Sequence, residues 1–136
     1  MELALPNIPI DGMDISAEML AVAGQKSLYR TLTQVDLTGP LTHNTYGAVL
    51  SSGTFTHGHL GPEPLRGLLD IARSGALFII GVNQRHFEAQ IFPNVLDAMV
   101  ADGAITQVKL MEIMIYSKLG HDHSGDRALI LQYRKL

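Results

Sequence analysis

The chain of 136 residues contains no cysteine. That absence excludes disulfide scaffolds, thiolate metal sites and cysteine nucleophiles, and it agrees with the cytoplasm. No segment approaches the roughly 18 uninterrupted apolar residues of a membrane span. Nor does a basic flank followed by an apolar signal core stand at the start, so neither membrane insertion nor export is expected. Charge is sparse too, with 17% charged residues and a formal net charge of −3. Without a basic block, or a basic stripe interleaved with aromatics, there is little to neutralise phosphates, and nucleic acid is not an expected partner. What is present is 46% hydrophobic residues, which is enough for a folded core in one domain over 1–136.

The stretch 46–83 organises the rest, because it reads as strand, loop, helix, strand. Ala48, Val49 and Leu50 form a short apolar run, and 76–80 forms a longer one without polar alternation, as expected of parallel strands covered on both faces. Between them Pro62 and Pro64 suit a first helical turn. Leu65, Leu68, Leu69 and Ala72 recur at helical spacing, and Ser74-Gly75 offers a left-handed stop. In such sheets ligands bind beyond the carboxyl ends of the strands, which points to the loop 51–59.

Residues 8–16 read as a short strand ending in an acid, followed by a helix over 17–23 with Ser16 as N-cap and Glu18 in the first turn. The segment 28–36 is the next strand, again ending in an acid, and Leu37-Thr38-Gly39-Pro40 breaks it. After the central unit come a loop over 86–91 and a helix from about 93 to 102, with Leu96, Met99 and Val100 facing inward and Gly103 beyond its end. The β-branched stretch 105–116 and residues 128–133 read as two strands joined by the polar loop 117–127. The expectation is an α/β fold that closes on an antiparallel strand pair.

The order of these elements, with Asp14-Ile15-Ser16-Ala17-Glu18-Met19-Leu20 after the first strand and Gly53-Thr54-Phe55-Thr56-His57-Gly58-His59 after the central one, resembles class I S-adenosylmethionine-dependent methyltransferases. It is most similar to the small methyltransferase-like proteins related to the one from the Williams–Beuren region. The resemblance runs from about residue 10 to the end. It implies a Rossmann-like, mostly parallel sheet and S-adenosylmethionine as cofactor. Asp14 matches the acid that accepts hydrogen bonds from the ribose hydroxyls, a task for which a short carboxylate at a strand end is suited. Ile15 would pack on the adenine, and Asp36 and Leu37 match the positions that hold its amino group and ring face. Ser51, Ser52 and Gly53 match the place where the methionine part meets the methyl acceptor, with Phe55, His57 and His59 on the acceptor side.

One departure stands out. No Gly-x-Gly occurs among the thirteen glycines, and only about ten residues precede the second-strand motif of the family, too few for a strand, turn and helix. The chain is thus expected to resemble the last two-thirds of such an enzyme, a sheet truncated at its amino-terminal side. Unpaired strand edges would then be available for a homodimer. A second functional reading follows, in which a degenerate, non-catalytic α/β module serves oligomerisation or interaction.

Plainer alternatives remain beside each role. Asp14 and Asp36 can simply stabilise strand-to-loop junctions. His57 and His59 can bind metal as neutral imidazoles, act as a general base, or pack as loop residues; the spacing recurs in His121-Asp122-His123, within a polar loop. Methyl transfer needs no metal, only alignment, exclusion of water and, where the acceptor carries a proton, a base. His57 or His59 is the candidate base, no metal site is expected, and the acceptor is expected to be a small molecule.

Overall fold

The computed structural model describes residues 8–39, 41, 43–55, 63–84, 87, 92–114 and 127–136, with only the backbone at 52–55, 113–114 and 127. The chain forms two compact units, Met1–Gly39 and Pro40–Leu136.

In the first unit, β1 (Asp11–Asp14) leads into α1 (Ala17–Gly24) and then β2 (Thr31–Gln34). Ser16 caps α1 as expected, its Oγ accepting from the Met19 N–H at 3.2 Å. The strands pair in parallel from Asp11 opposite Thr31 to Asp14 opposite Gln34. Arg30 clasps Asp11 with two bonds, Nε to Oδ1 at 2.9 Å and Nη2 to Oδ2 at 2.7 Å, and so fixes the entry of β2 beside the start of β1. Gly12 sits where a Cβ would come within 2.7 Å of Leu32 Cδ2, so a side chain there would push on the neighbouring strand. The strand expected over 28–36 is shorter. Gln25, Lys26 and Ser27 form a run of turn hydrogen bonds after the helix, and Ser27 adopts φ 54°, which delays the extended backbone until Thr31.

The second unit contains β3 (Tyr46–Phe55), α2 (Pro64–Leu68) running into a 3₁₀ turn (Leu69–Ile71), β4 (Ala72–Asn83), α3 (Phe92–Ala101), β5 (Lys109–Met114) and β6 (Arg127–Arg134). The sheet order is β3-β4-β6-β5, with β3 and β4 parallel and the other two pairs antiparallel. The expected parallel unit and terminal antiparallel pair are both present. Alternation along β4 buries Ala76, Phe78, Ile80 and Val82 and leaves Leu77, Ile79 and Gly81 half-buried, so one face of this strand is better covered than the other. The buried face is completed by Leu65 and Leu68 of α2, Leu96 and Met99 of α3, and Leu131 and Tyr133 of β6. Phe78 and Tyr133 stack with ring centroids 5.1 Å apart; full burial of one such ring contributes on the order of 2–3 kcal/mol.

Two boundaries differ from expectation. The helix ends by Ile71, not beyond Ala72, because Lys135 Nζ donates to the carbonyls of Leu69 (2.7 Å) and Ala72 (2.8 Å), closing that end from the far terminus of the chain. Gly75 does adopt a positive φ of 86°, but inside β4, where its N–H bonds the Lys135 carbonyl. Similarly, the strand expected from 105 begins at Lys109, Ile105 contributing a single bridge to Lys135. α3 stops as anticipated: Gly103 N–H bonds the Val100 carbonyl and Ala104 N–H the Met99 carbonyl, a Schellman arrangement with Gly103 at φ 74°. No helix among the described residues is long and apolar enough to cross a membrane.

Candidate functional site

Because β1 and β2 are parallel, their carboxyl ends lie at the same end of the first unit's sheet. The Val35 N–H donates to the Asp14 carbonyl at 2.9 Å, and Gln34 Nε2 donates to the Ile15 carbonyl at 2.9 Å. These bonds bring the Asp14-Ile15 and Asp36-Leu37 segments together. Asp14 is half-buried, and its Oδ1 accepts from the Ser16 N–H. Asp36 is exposed, and its Oδ1 accepts from both the hydroxyl (2.5 Å) and the N–H (2.9 Å) of Thr38. The Thr38 hydroxyl first, and then its N–H, hold the Asp36 carboxyl below its ordinary value, so it is ionised at neutral pH. Ile15 is 62% exposed, and Leu37 is half-buried.

In the second unit, Ser51 pairs with Ile80, whereas the next register partner is Phe55 with Val82. Three residues of β3, Ser52, Gly53 and Thr54, thus stand against Gly81 alone. Such a bulge bends the strand and re-aims its backbone, a common device beside binding sites. Ser51 Oγ is buried and has no hydrogen-bond partner. His57 and His59 lie outside the described residues.

Two features escaped the sequence reasoning. One is the bulge, whose signal is a glycine inside a strand pattern. The other is Asn83, 5% exposed at the carboxyl end of β4, signalled by a polar residue that ends the apolar run of that strand. Elsewhere in the unit, grooves of about 170 and 130 Å³ are lined by Phe87, Leu96, Val100 and Leu110, and by Leu77, Lys109, Gln132 and Arg134. Neither includes a strand-end candidate, and both are small for a cofactor. Among the described residues no cluster of histidine and carboxylate groups could hold a metal ion.

No family model matches the sequence, and no curated protein matches it. Solved structures do. The chain is similar to N-methyltransferase NodS from Bradyrhizobium japonicum WM9 in complex with S-adenosyl-L-homocysteine, with a TM-score of 0.64 and 12% identity over 93% of this chain and 66% of that one. The S-adenosylmethionine-dependent methyltransferase fold is present. A structure from Listeria monocytogenes described as a methyltransferase of that kind gives a TM-score of 0.67 at 13% identity, covering 94% of this chain and 80% of that one. The plantazolicin methyltransferase BpumL, with a pentazolic desmethylPZN analog and the same product, gives 0.67 at 14% identity, covering 97% and 69%. At these identities the likeness is one of methyltransferase fold. The chain spans just under two thirds of NodS.

Proposed function

We propose that the chain is one partial domain, truncated at its amino-terminal side, of an S-adenosylmethionine-dependent methyltransferase. Within that class the motif beginning Asp14-Ile15-Ser16 and the loop after Gly53 favour the small methyltransferase-like proteins related to the Williams–Beuren region. The observation that carries the reading is the pair of strand-end acids on a methyltransferase fold. In each carboxylate the described hydrogen bonds fall on Oδ1, which leaves Oδ2 available to a ligand. That set of acceptors fits the nucleoside. Asp14 accepts from the ribose hydroxyls, Asp36 from the adenine amino group, and the exposed Ile15 and the side chain of Leu37 cover the ring.

The bound cofactor supplies an activated methyl group on a sulfonium. The orphaned Ser51 hydroxyl, with Ser52 and Gly53 of the bulge, suits the methionine end, and His57 or His59 serves as base for an acceptor that must lose a proton. A small-molecule acceptor in the cytoplasm suits the sparse, slightly acidic charge, and BpumL was solved with a pentazolic desmethylPZN analog. A homodimer through unpaired strand edges belongs to the same reading.

The test is calorimetric titration of the purified chain with S-adenosylmethionine and S-adenosylhomocysteine, repeated on Asp14→Ala. Saturable binding that disappears in the variant is expected. No heat at millimolar ligand from a folded chain would leave the fold without the activity.

A further inference from the structure

The less covered face of the four-stranded sheet carries a cluster of hydrogen-bond donors outside the strand-end candidates. Strand register assembles it. Lys109 of β5 stands opposite Gln132 of β6, and Arg134, two residues further along β6, stands opposite Leu77 of β4. Directly opposed residues of antiparallel strands share a face, so Lys109, Gln132 and Arg134 lie on one side with Leu77, while Tyr133 between them turns to the core. With Thr106 and Gln107 they line the groove of about 130 Å³. It sits toward the amino end of the paired run of β4, away from the bulge and Asn83.

The groove is cationic. Lys109 and Arg134 are exposed and Gln132 and Thr106 half-buried, and no acid is among the lining residues. Glu112, further along β5, stands opposite Leu129 and so faces the other side of the sheet. Neither cation takes part in an ion pair among the described residues. Arg134 is nevertheless held in place. Its Nη1 donates to the Gly75 carbonyl at 2.9 Å and its N–H to Thr106 Oγ1 at 2.9 Å, which leaves Nε and Nη2 as donors. Two like charges at the roughly 7–8 Å diagonal spacing of neighbouring strands thus stand without a described counter-charge in a chain whose net charge is −3.

We propose that this groove binds a phosphate group, as the free ion or as the end of a phosphomonoester. Charge selects it over a carboxylate. Near neutral pH a phosphomonoester carries about −1.5 to −2, which matches two cations, whereas one carboxylate would leave a cation unmatched. The planar fork of Arg134 and the ammonium of Lys109 are the two side-chain types that recognise phosphate, and Gln132 adds a neutral amide donor between them. Size limits the ligand to one such group. Pockets that enclose a whole drug-sized molecule run to roughly 300 Å³ or more, more than twice the volume here.

Backbone-amide NMR of the full chain is the test, with titrations at constant ionic strength of inorganic phosphate, methyl phosphate and, as a singly charged control, acetate. Saturable shifts at Thr106, Lys109, Gln132 and Arg134 are expected with the phosphates and not with acetate. Tighter binding of inorganic phosphate would identify the free ion as the ligand, and tighter binding of methyl phosphate a monoester. Lys109→Gln and Arg134→Gln are each expected to weaken phosphate binding at least about tenfold. Arg66→Gln, whose ion pair with Asp102 lies outside the groove, should leave it unchanged. Arg134 also ties β6 to Gly75, so where that variant folds poorly the exposed Lys109→Gln decides. Shifts that never saturate, shifts of equal size with acetate, or a Lys109→Gln chain that binds phosphate as tightly as the original would overturn the proposal. No cofactor enters these experiments, so their failure is distinct from a failure to bind S-adenosylmethionine.

Discussion

Asp14 Oδ1 accepts the backbone N–H of Ser16 at 2.9 Å, so the acid that ends β1 also sets the start of α1. A strand end and a helix cap are thereby joined through one carboxylate, and its structural and ligand roles can be separated by substitution. Asp14→Asn retains a side-chain oxygen for Ser16 but loses the charge that strengthens hydrogen bonds from a ribose. Nucleoside affinity is expected to fall roughly tenfold, on the scale of 1.5–3 kcal/mol for a bond to a charged group, with little change in stability. Ser16→Ala should do the converse, costing about 1 kcal/mol of helix stability through the lost cap on Met19 and leaving the Asp14 charge in place. Calorimetry and denaturant unfolding on the two variants read the two roles independently.

Asp36 gives a pH prediction. Its folded-state value is lowered by the Thr38 hydroxyl and N–H, so the bonds favour the ionised form. They contribute fully above the ordinary carboxyl range and are lost as pH falls through the lowered value. Thr38→Val removes the hydroxyl and keeps the N–H. Carboxyl-carbon NMR should then show the Asp36 titration moving up toward its ordinary value, and a titration that does not move would mean that the hydroxyl bond contributes nothing in solution.

Much of this architecture was legible because it is written in local pattern. Ser16 before an acidic first turn gave α1, Gly103 gave the end of α3, the apolar run 76–80 gave β4, and 128–133 gave β6. What was not legible depends on residues far apart in sequence. The end of the second helix is set by Lys135, more than sixty residues away, and no propensity in 62–75 reports that contact. The bulge at 52–54 is set by register against β4, and its one local signal, Gly53 within the strand, does not fix that register. Of the candidate site, Asp14, Ile15, Asp36 and Leu37 lie at one end of the first unit's sheet. Asn83 went unnoticed because a polar residue at a strand end looks like an ordinary loop beginning.

Tyr133 is almost fully buried, and its hydroxyl has no hydrogen-bond partner. An unsatisfied buried hydroxyl opposes folding, so Tyr133→Phe should leave stability unchanged or raise it by about 1 kcal/mol, the stack on Phe78 being retained. Burial also pushes the phenol above its ordinary value. The folded state therefore keeps its proton where the unfolded chain releases it. Stability associated with this group is complete below about pH 10 and declines as pH rises beyond it. Denaturant unfolding at pH 8 and pH 11 should show that decline in the unaltered chain and a smaller one in Tyr133→Phe.

The two units should differ in local stability. In the first, α1 has no buried residue, and its sheet is a pair of four-residue strands; such a pair lacks the third strand or buried helix face that gives small sheets independent stability. The second is built around Leu65, Phe78, Ile80, Phe92, Met99 and Leu131, each with no measurable exposure, and its central strands pair without interruption from Leu77 opposite Arg134 to Asn83 opposite Ala128. Opening free energy follows buried apolar contact and protected backbone bonding. Native-state hydrogen exchange of the chain alone should therefore find amides of β1 and β2 exchanging at least about a hundredfold faster than those of Phe78, Ile80 and Leu131, a difference of about 2.7 kcal/mol. If binding orders this unit through Asp14 and Asp36, saturating S-adenosylhomocysteine should slow exchange across 11–36 and leave the core of the second unit unchanged. Equal protection of both units without ligand would show that the first is held by something other than its own packing.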